Sequence, residues 1–217
     1  MNRLRILLAD DHTMICNVLA TYLGQKYDVI GTVSDGRDLL TVAKKLLPDV
    51  VILDVSMPEL NGISAGRELK KIMPRLKLIY LTMIKDSEVA IEAMNVGASA
   101  FLLKNSSSSE LLTAIDNAQR GLTYITPEIS RTLEARFNQN PKTPNKPSQL
   151  TDRQREVLQL LAEGHGMKQI AYTLGITHRT VRFHKYRTME ELGLSSDAEL
   201  IQYAIRHRII FTPETIQ

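Results

Sequence analysis

Asp10 and Asp11 follow an apolar run at residues 4–9, Asp54 follows residues 50–53, Thr82 follows 78–81 and Lys104 follows 100–103. If those runs are neighbouring strands of one parallel open sheet, their carboxyl ends share the edge where such sheets bind ligands, and the five side chains converge. Three carboxylates at one edge repel one another, so ionising all of them is costly unless a cation lies between. Mg2+ suits that place because it takes hard oxygen ligands, keeps several waters and accepts phosphate oxygens. Lys104 would then meet a phosphate as a point charge and Thr82 would donate its hydroxyl. Asp54, after the central strand, is the natural nucleophile for an acyl phosphate. Each residue alone has a local alternative: Asp10 or Asp11 can cap a helix starting near Thr13, and Asp54, Thr82 or Lys104 can be loop or surface groups. Their order at successive strand ends argues for a joint site.

The elements needed to position these groups are legible. Residues 4–9, 27–33, 50–53, 78–81 and 100–103 are short runs rich in Val, Ile and Leu, separated by stretches of helical length. Val50, Val51, Ile52 and Leu53 are apolar without alternation, which implies a strand covered on both faces. Five such strands with intervening helices predict an α/β fold built on a doubly wound five-stranded parallel sheet. Ser107 with Glu110 forms a capping-box pattern before a last helix over 111–119, and Gly121 can stop it.

The chain has 217 residues, 43% hydrophobic and 24% charged, enough for one large domain or two modest ones. A lone Cys16 cannot form an intrachain disulfide, no secretory signal precedes the first strand-like run, and no apolar stretch approaches the length of a membrane span. The expected compartment is the cytoplasm, with no membrane partner. The net charge is +3, but residues 1–122 carry 14 basic and 14 acidic side chains, so the excess lies wholly in the remainder. His12, His165, His178, His184 and His207 contain no pair at four-residue spacing and lie far from Cys16, which argues against a zinc site.

After a short helical stretch beginning near Pro127, Pro141, Pro144 and Pro147 recur every third residue among polar neighbours. That pattern forbids a helix and favours extended chain, so residues 123–146 are expected to link a domain at 1–122 to a second, smaller all-α domain at 147–212. Thr151 with Gln154 and Ser196 with Glu199 mark two helix starts, Thr177 a third, and the apolar spacing predicts four short amphipathic helices. A short helix from Met167, a turn at Gly175 and a longer basic helix from Thr177 make a helix-turn-helix pattern. Val181, Met189 and Leu192 supply its buried stripe, leaving Arg179, Arg182, Phe183, Tyr186 and Arg187 outward. Arg182 is placed to read guanine, while Lys168, Thr180, Lys185 and Arg187 suit phosphate oxygens. Phe183 and Tyr186 either touch thymine methyls and sugars or belong to the core.

Two segments resemble known families. Leu8-Ala9-Asp10-Asp11-His12, Leu53-Asp54-Val55-Ser56-Met57-Pro58 with Gly62, Leu81-Thr82 and Phe101-Leu102-Leu103-Lys104 resemble the receiver domain of two-component response regulators, whose fold is flavodoxin-like. The resemblance implies that Asp54 takes phosphate from a sensor histidine kinase. It implies Mg2+ held by Asp11, Asp54 and the main-chain carbonyl of Ser56, with Asp10 acting through water. It also makes Thr82 and Phe101 the hydroxyl and aromatic switch positions. Met83 stands where the family has a small residue, and Asn105 where a proline often follows the lysine.

Residues 147 to about 210 resemble the LuxR-type DNA-binding domain through Leu150 to Leu158, Ala162-Glu163-Gly164, Lys168-Gln169-Ile170-Ala171, Leu174-Gly175-Ile176 and Thr180-Val181-Arg182-Phe183-His184. Gly166-Met167 departs from that pattern by lacking a Ser or Thr cap, Gln169 replaces a common Glu, and Glu190-Glu191 is acidic where the family is basic or neutral. The pairing of domains is that of the NarL/FixJ class. It implies a phosphorylation-controlled transcription regulator, not an enzyme, that dimerises on a pseudo-palindromic site in double-stranded DNA. Two rivals are an interaction adaptor with a degenerate helix-turn-helix and an aspartyl-phosphate phosphatase or phosphotransferase.

Overall fold

The structure is a computed structural model that describes residues 3–139 and 150–211, with no side-chain description for 135–139. The proline-spaced segment therefore lies outside the described residues. The described residues belong to two compact units.

The first unit alternates strands and helices: β1 Arg5–Ala9, α1 Thr13–Leu23, β2 Asp28–Val33, α2 Gly36–Leu46, β3 Val50–Leu53, α3 Gly62–Ile72, β4 Lys77–Thr82, α4 Ser87–Val96, β5 Ala100–Leu103 and α5 Ser108–Gln119. These are followed by β6 Tyr124–Ile125 and α6 Pro127–Gln139. All pairings are parallel, in the order β2-β1-β3-β4-β5-β6. The five expected strands form, and a sixth extends the sheet from within the stretch 123–146 read from sequence as linker. Two residues are too few for any periodicity to reveal.

Alternation along the strands sorts the two faces. Ile6, Leu8, Ile52, Ile79, Leu81, Ala100 and Leu102 pack with Cys16 and Leu23 of α1 and with Leu111, Ala114, Ile115 and Ala118 of α5. Leu7, Val51, Leu53, Leu78, Tyr80 and Phe101 point to the other face and are equally buried. There α3 comes so close that a Cβ at Gly66 would meet the Tyr80 ring and its hydroxyl. The chain reverses its direction of build between β1 and β3, opening a crevice at their carboxyl ends. The Ser107–Glu110 capping box forms and starts α5, whereas α1 is N-capped by His12 without a side-chain bond. Asp10 instead accepts the His12 backbone N–H at 2.9 Å, so neither Asp10 nor Asp11 is the cap of α1.

The second unit comprises α7 Asp152–Ala162, α8 Met167–Thr173, α9 His178–Leu192 and α10 Asp197–Arg206. Capping boxes at Thr151–Gln154 and Ser196–Glu199 start α7 and α10, and Thr177 accepts the Thr180 N–H to start α9. Helix α7 joins two clusters. Leu158 packs with Met189, Leu200, Ala204 and Ile209, while Val157 and Leu160 pack with Ile170, Leu174 and Val181. No described helix is long and apolar enough to cross a membrane.

Gly62 opens α3 directly under the crevice. Its N–H donates to the Val55 carbonyl at 2.8 Å, and a Cβ there would overlap the main-chain carbonyl of Asp54. Gly62→Ala is expected to cost about 1–3 kcal/mol by overpacking. In urea this should appear as a lower unfolding midpoint of the first unit with an unchanged slope.

Candidate functional site

The crevice brings together the side chains expected there. Asp54 N–H donates to the Ala9 carbonyl at 2.8 Å, and Lys104 N–H to the Thr82 carbonyl at 2.8 Å, so the sheet hydrogen-bond pattern runs up to the site residues themselves. Lys104 Nζ lies 2.8 Å from Asp10 Oδ2 and 2.7 Å from Asp54 Oδ2, with its side chain only 3% exposed. Burial alone would lower the Lys104 pKa, but the Asp54 charge and hydrogen bonds to Asp10 and Asp54 outweigh it, so the ammonium is held above its ordinary value. Asp54 Oδ1 accepts from the backbone N–H groups of Val55 at 2.6 Å and Ser56 at 3.3 Å, which fixes the carboxylate plane. Cys16, beneath Asp10, has its thiol pKa raised by burial and by the Asp10 charge.

Asp10, Asp11, His12 and Asp54 each offer an oxygen or nitrogen within 4.8 Å of the others, a cluster able to hold a metal ion. Asp11 stands at the exposed rim, and His12 Nδ1 lies 2.9 Å from Asp11 Oδ1 and 3.2 Å from Asp10 Oδ1. His12 had no place in the site read from sequence; its position directly after Asp10-Asp11 at a strand end was the available signal. Thr82 is fully buried, its hydroxyl accepting from the Ile84 N–H at 3.3 Å, and Phe101 is fully buried beside Tyr80. Met83 is about half exposed, and no peptide bond among the described residues is cis, so Asn105 does not prevent Lys104 from reaching both carboxylates.

In the second unit, α8 and α9 meet through a turn whose Gly175 takes φ +60, a region that favours glycine. Gly166 caps α8 without a side-chain bond, the consequence of lacking Ser or Thr there. Along α9, Val181 and Met189 are buried as expected, while Phe183 is 62% and Tyr186 51% exposed. Both aromatics are therefore surface residues, and with Arg179 and Arg182 they line one shallow concavity. The Arg182 guanidinium lies 5.5 Å from the Tyr186 ring centre. Lys168 is exposed on α8, and the Thr180 hydroxyl lies 2.9 Å from that of Thr177.

Two basic residues differ from expectation. Lys185 is buried, and its ammonium lies 2.6 Å from Asp197 Oδ1, because α10 starts where that side chain emerges. It ties α9 to α10 from a buried position, with its ammonium also 5.6 Å from the Tyr186 ring centre. Arg187 remains half exposed but bonds Glu191 at 2.7 Å, so the acidic pair offsets its charge. Sequence reasoning passed over Tyr172, which is 90% exposed one turn after Lys168 on α8.

A parallel α/β sheet with an acid cluster and a buried ammonium at its switch point, joined in one chain to a helix-turn-helix unit, defines a two-part signalling architecture. Residues 6–116 match the response regulator receiver domain family, and residues 148–204 match the luxR family of bacterial regulatory proteins. The chain is 33% identical over 215 residues to the oxygen regulatory protein NreC of Staphylococcus aureus (strain JH9), covering 95% of this chain and 99% of NreC. Among solved structures, the Salmonella typhimurium RcsB response regulator is 28% identical across 94% of this chain and 97% of that one, with a TM-score of 0.62. RcsB from Salmonella enterica serovar Typhimurium, bound to promoter P1flhDC in the presence of the phosphomimetic BeF3−, is 28% identical across 93% and 98%, with a TM-score of 0.60. The chain belongs to the response regulators that couple a receiver domain to a LuxR-type helix-turn-helix domain.

His184, within the helix-turn-helix, has its pKa lowered from 6.5 by burial and by the Arg153 charge, with Glu156 opposing. A base with a depressed folded pKa stabilises the fold above its unfolded pKa and loses that contribution as pH falls through the folded value. The second unit should therefore lose stability on acidification below about pH 6.5, and His184→Gln should flatten that slope in thermal melts across pH 5 to 7.5.

Proposed function

We propose that the protein is a two-component transcription regulator whose receiver, residues 1–122, controls a DNA-binding domain, residues 147–212, through phosphorylation of Asp54. The observation that carries this is the single Lys104 ammonium bound to both Asp10 and Asp54 at the sheet's switch point. A carboxylate oxygen of Asp54 attacks the phosphorus of a phosphohistidine on the sensor kinase. The P–O bond to Asp54 forms as the P–N bond breaks, and the imidazole leaves with the electron pair. Lys104 balances the added negative charge, and the Thr82 hydroxyl turns to donate to a phosphoryl oxygen, with Phe101 adjusting behind it.

The acid cluster suits Mg2+, which Asp11, Asp54 and the Ser56 carbonyl would hold, with Asp10 acting through water. When bound, the ion would supply charge neutralisation between the carboxylates and the incoming phosphoryl oxygens. This is signalling by a transient acyl phosphate, not turnover of a metabolite, in a cytoplasmic protein.

On the second domain, Arg179, Arg182, Phe183 and Tyr186 form the face that enters the major groove, with Lys168 and Thr180 on flanking phosphates. Arg187 contributes less because Glu191 already holds it, and Lys185 acts inside the domain. A homodimer places two such faces about 34 Å apart, one duplex turn, which sets a pseudo-palindromic site in double-stranded DNA.

Acetyl phosphate with Mg2+ should shift the dimerisation or DNA affinity of the wild-type chain, and Asp54→Ala should remove that response; an undiminished response in the variant defeats the reading. Arg182→Ala should weaken binding to the preferred site by about 1–3 kcal/mol and relax its base preference, whereas in salt titrations Lys168→Ala should reduce the slope by about 1. Lys185→Ala should leave the slope alone and lower domain stability by about 1 kcal/mol, since its partner Asp197 is largely exposed.

A further inference from the structure

The sixth strand and the helix after it are attached to two of the four strands that end at the site, to β5 by pairing and to β4 through the connection that follows it. β6 covers the free edge of β5, with Ala100 opposite Tyr124 and Phe101 opposite Ile125. Because β4 pairs Tyr80 with Phe101, the side chains of Tyr80, Phe101 and Ile125 form one row on one face of the sheet. Thr126, directly after β6, is buried and grips the same place twice. Its N–H donates to the Phe101 carbonyl at 3.0 Å, and its hydroxyl accepts from the Leu103 N–H at 3.3 Å and lies 3.5 Å from that carbonyl. The Ser106 hydroxyl, two residues beyond Lys104, lies 3.3 Å from the same Thr126 oxygen.

A second tie starts from β4. Lys85, three residues after Thr82, places its ammonium 3.3 Å from Glu128 Oε1 on α6, and Ile129 of α6 is buried. The hydroxyl position of the site is thus joined to α6 through the β4–α4 connection, and the aromatic and lysine positions are joined to it through Thr126. In sequence, α6 leads on toward the second domain.

We propose that β6 and the start of α6 are the transmission element of this receiver. Thr126 is its positioning residue, and the Lys85–Glu128 pair is a second, electrostatic coupling. The inference rests on the phosphorylation switch proposed above and adds the route by which its state leaves the receiver. A shift of the Phe101 ring or of the β4–α4 connection has a route to α6, because the in-row neighbour Ile125, the Thr126 hydrogen bonds and the ion pair all connect to those elements. Thr126→Val keeps the side chain's shape while deleting the hydroxyl bonds.

The test is hydrogen exchange on the full chain with and without Mg2+ and beryllofluoride, read on peptides covering 83–86, 100–104 and 124–134. In the wild type, all three segments should change exchange by about fivefold or more, the range expected for a coupling of 1–3 kcal/mol. In Thr126→Val the response of 83–86 and 100–104 should persist while that of 124–134 falls severalfold. Lys85→Glu and Glu128→Lys should each weaken the 124–134 response, and the double reversal should restore it, which a merely stabilising role of either residue would not produce. A wild-type response at 83–86 and 100–104 with none at 124–134 overturns the transmission role and leaves the phosphorylation reading standing. A response at 124–134 that survives Thr126→Val and both single charge reversals also overturns it, and silence in all three segments overturns both.

Discussion

One ammonium holding two carboxylates organises the receiver site. Asp10 and Asp54 come from adjacent strands whose spacing forces them together, and Lys104 lies between them at 2.7 to 2.8 Å, almost wholly removed from water. Deleting Lys104 costs about 3–5 kcal/mol, because Asp10 and Asp54 are then buried together with no counter-charge. A group that added negative charge to Asp54 would strengthen the hold of Lys104, and a divalent cation among Asp10, Asp11 and Asp54 would compete with it. One electrostatic arrangement thus holds the three side chains together and suits the phosphorylation proposed for Asp54.

The sheet exists in service of that geometry. β3 is buried on both faces because helices cover both, which leaves Asp54 the first polar side chain at its end. Gly62 lets α3 approach the Asp54 backbone, and the Val55 and Ser56 amides fix its carboxylate. In the helix-turn-helix domain the logic is the reverse. A core built around α7 holds α9 so that its arginines and aromatics face outward, and the polar contacts inside it, Lys185 with Asp197 above all, fix the helix rather than meet a ligand.

The acid site was readable because each of its residues follows a run of strand character, and a parallel sheet brings strand ends together whatever the loops do. Helix starts at Ser107, Thr151, Thr177 and Ser196 were readable because capping is local chemistry within four residues. The place of Lys185 was not, since position on a helical wheel says nothing of Asp197 twelve residues on. Phe183 and Tyr186 stood undecided between core and surface until α7 and α10 were seen to fill the other side of α9.

By itself the sequence determined the strand order's chemical consequence, the nature of the acid site and the presence of two folding units, because strand propensity, capping and the placement of charge after apolar runs are properties of short stretches of chain. Only the tertiary structure decided that His12 stands among the acids, that Lys185 is spent inside its domain, and that Tyr124 and Ile125 close the edge of β5 beneath a helix tied to Lys85. Each of those depends on a partner distant in sequence or on a pairing too short to leave a pattern, and long-range contacts of that kind are chosen by packing rather than by local preference.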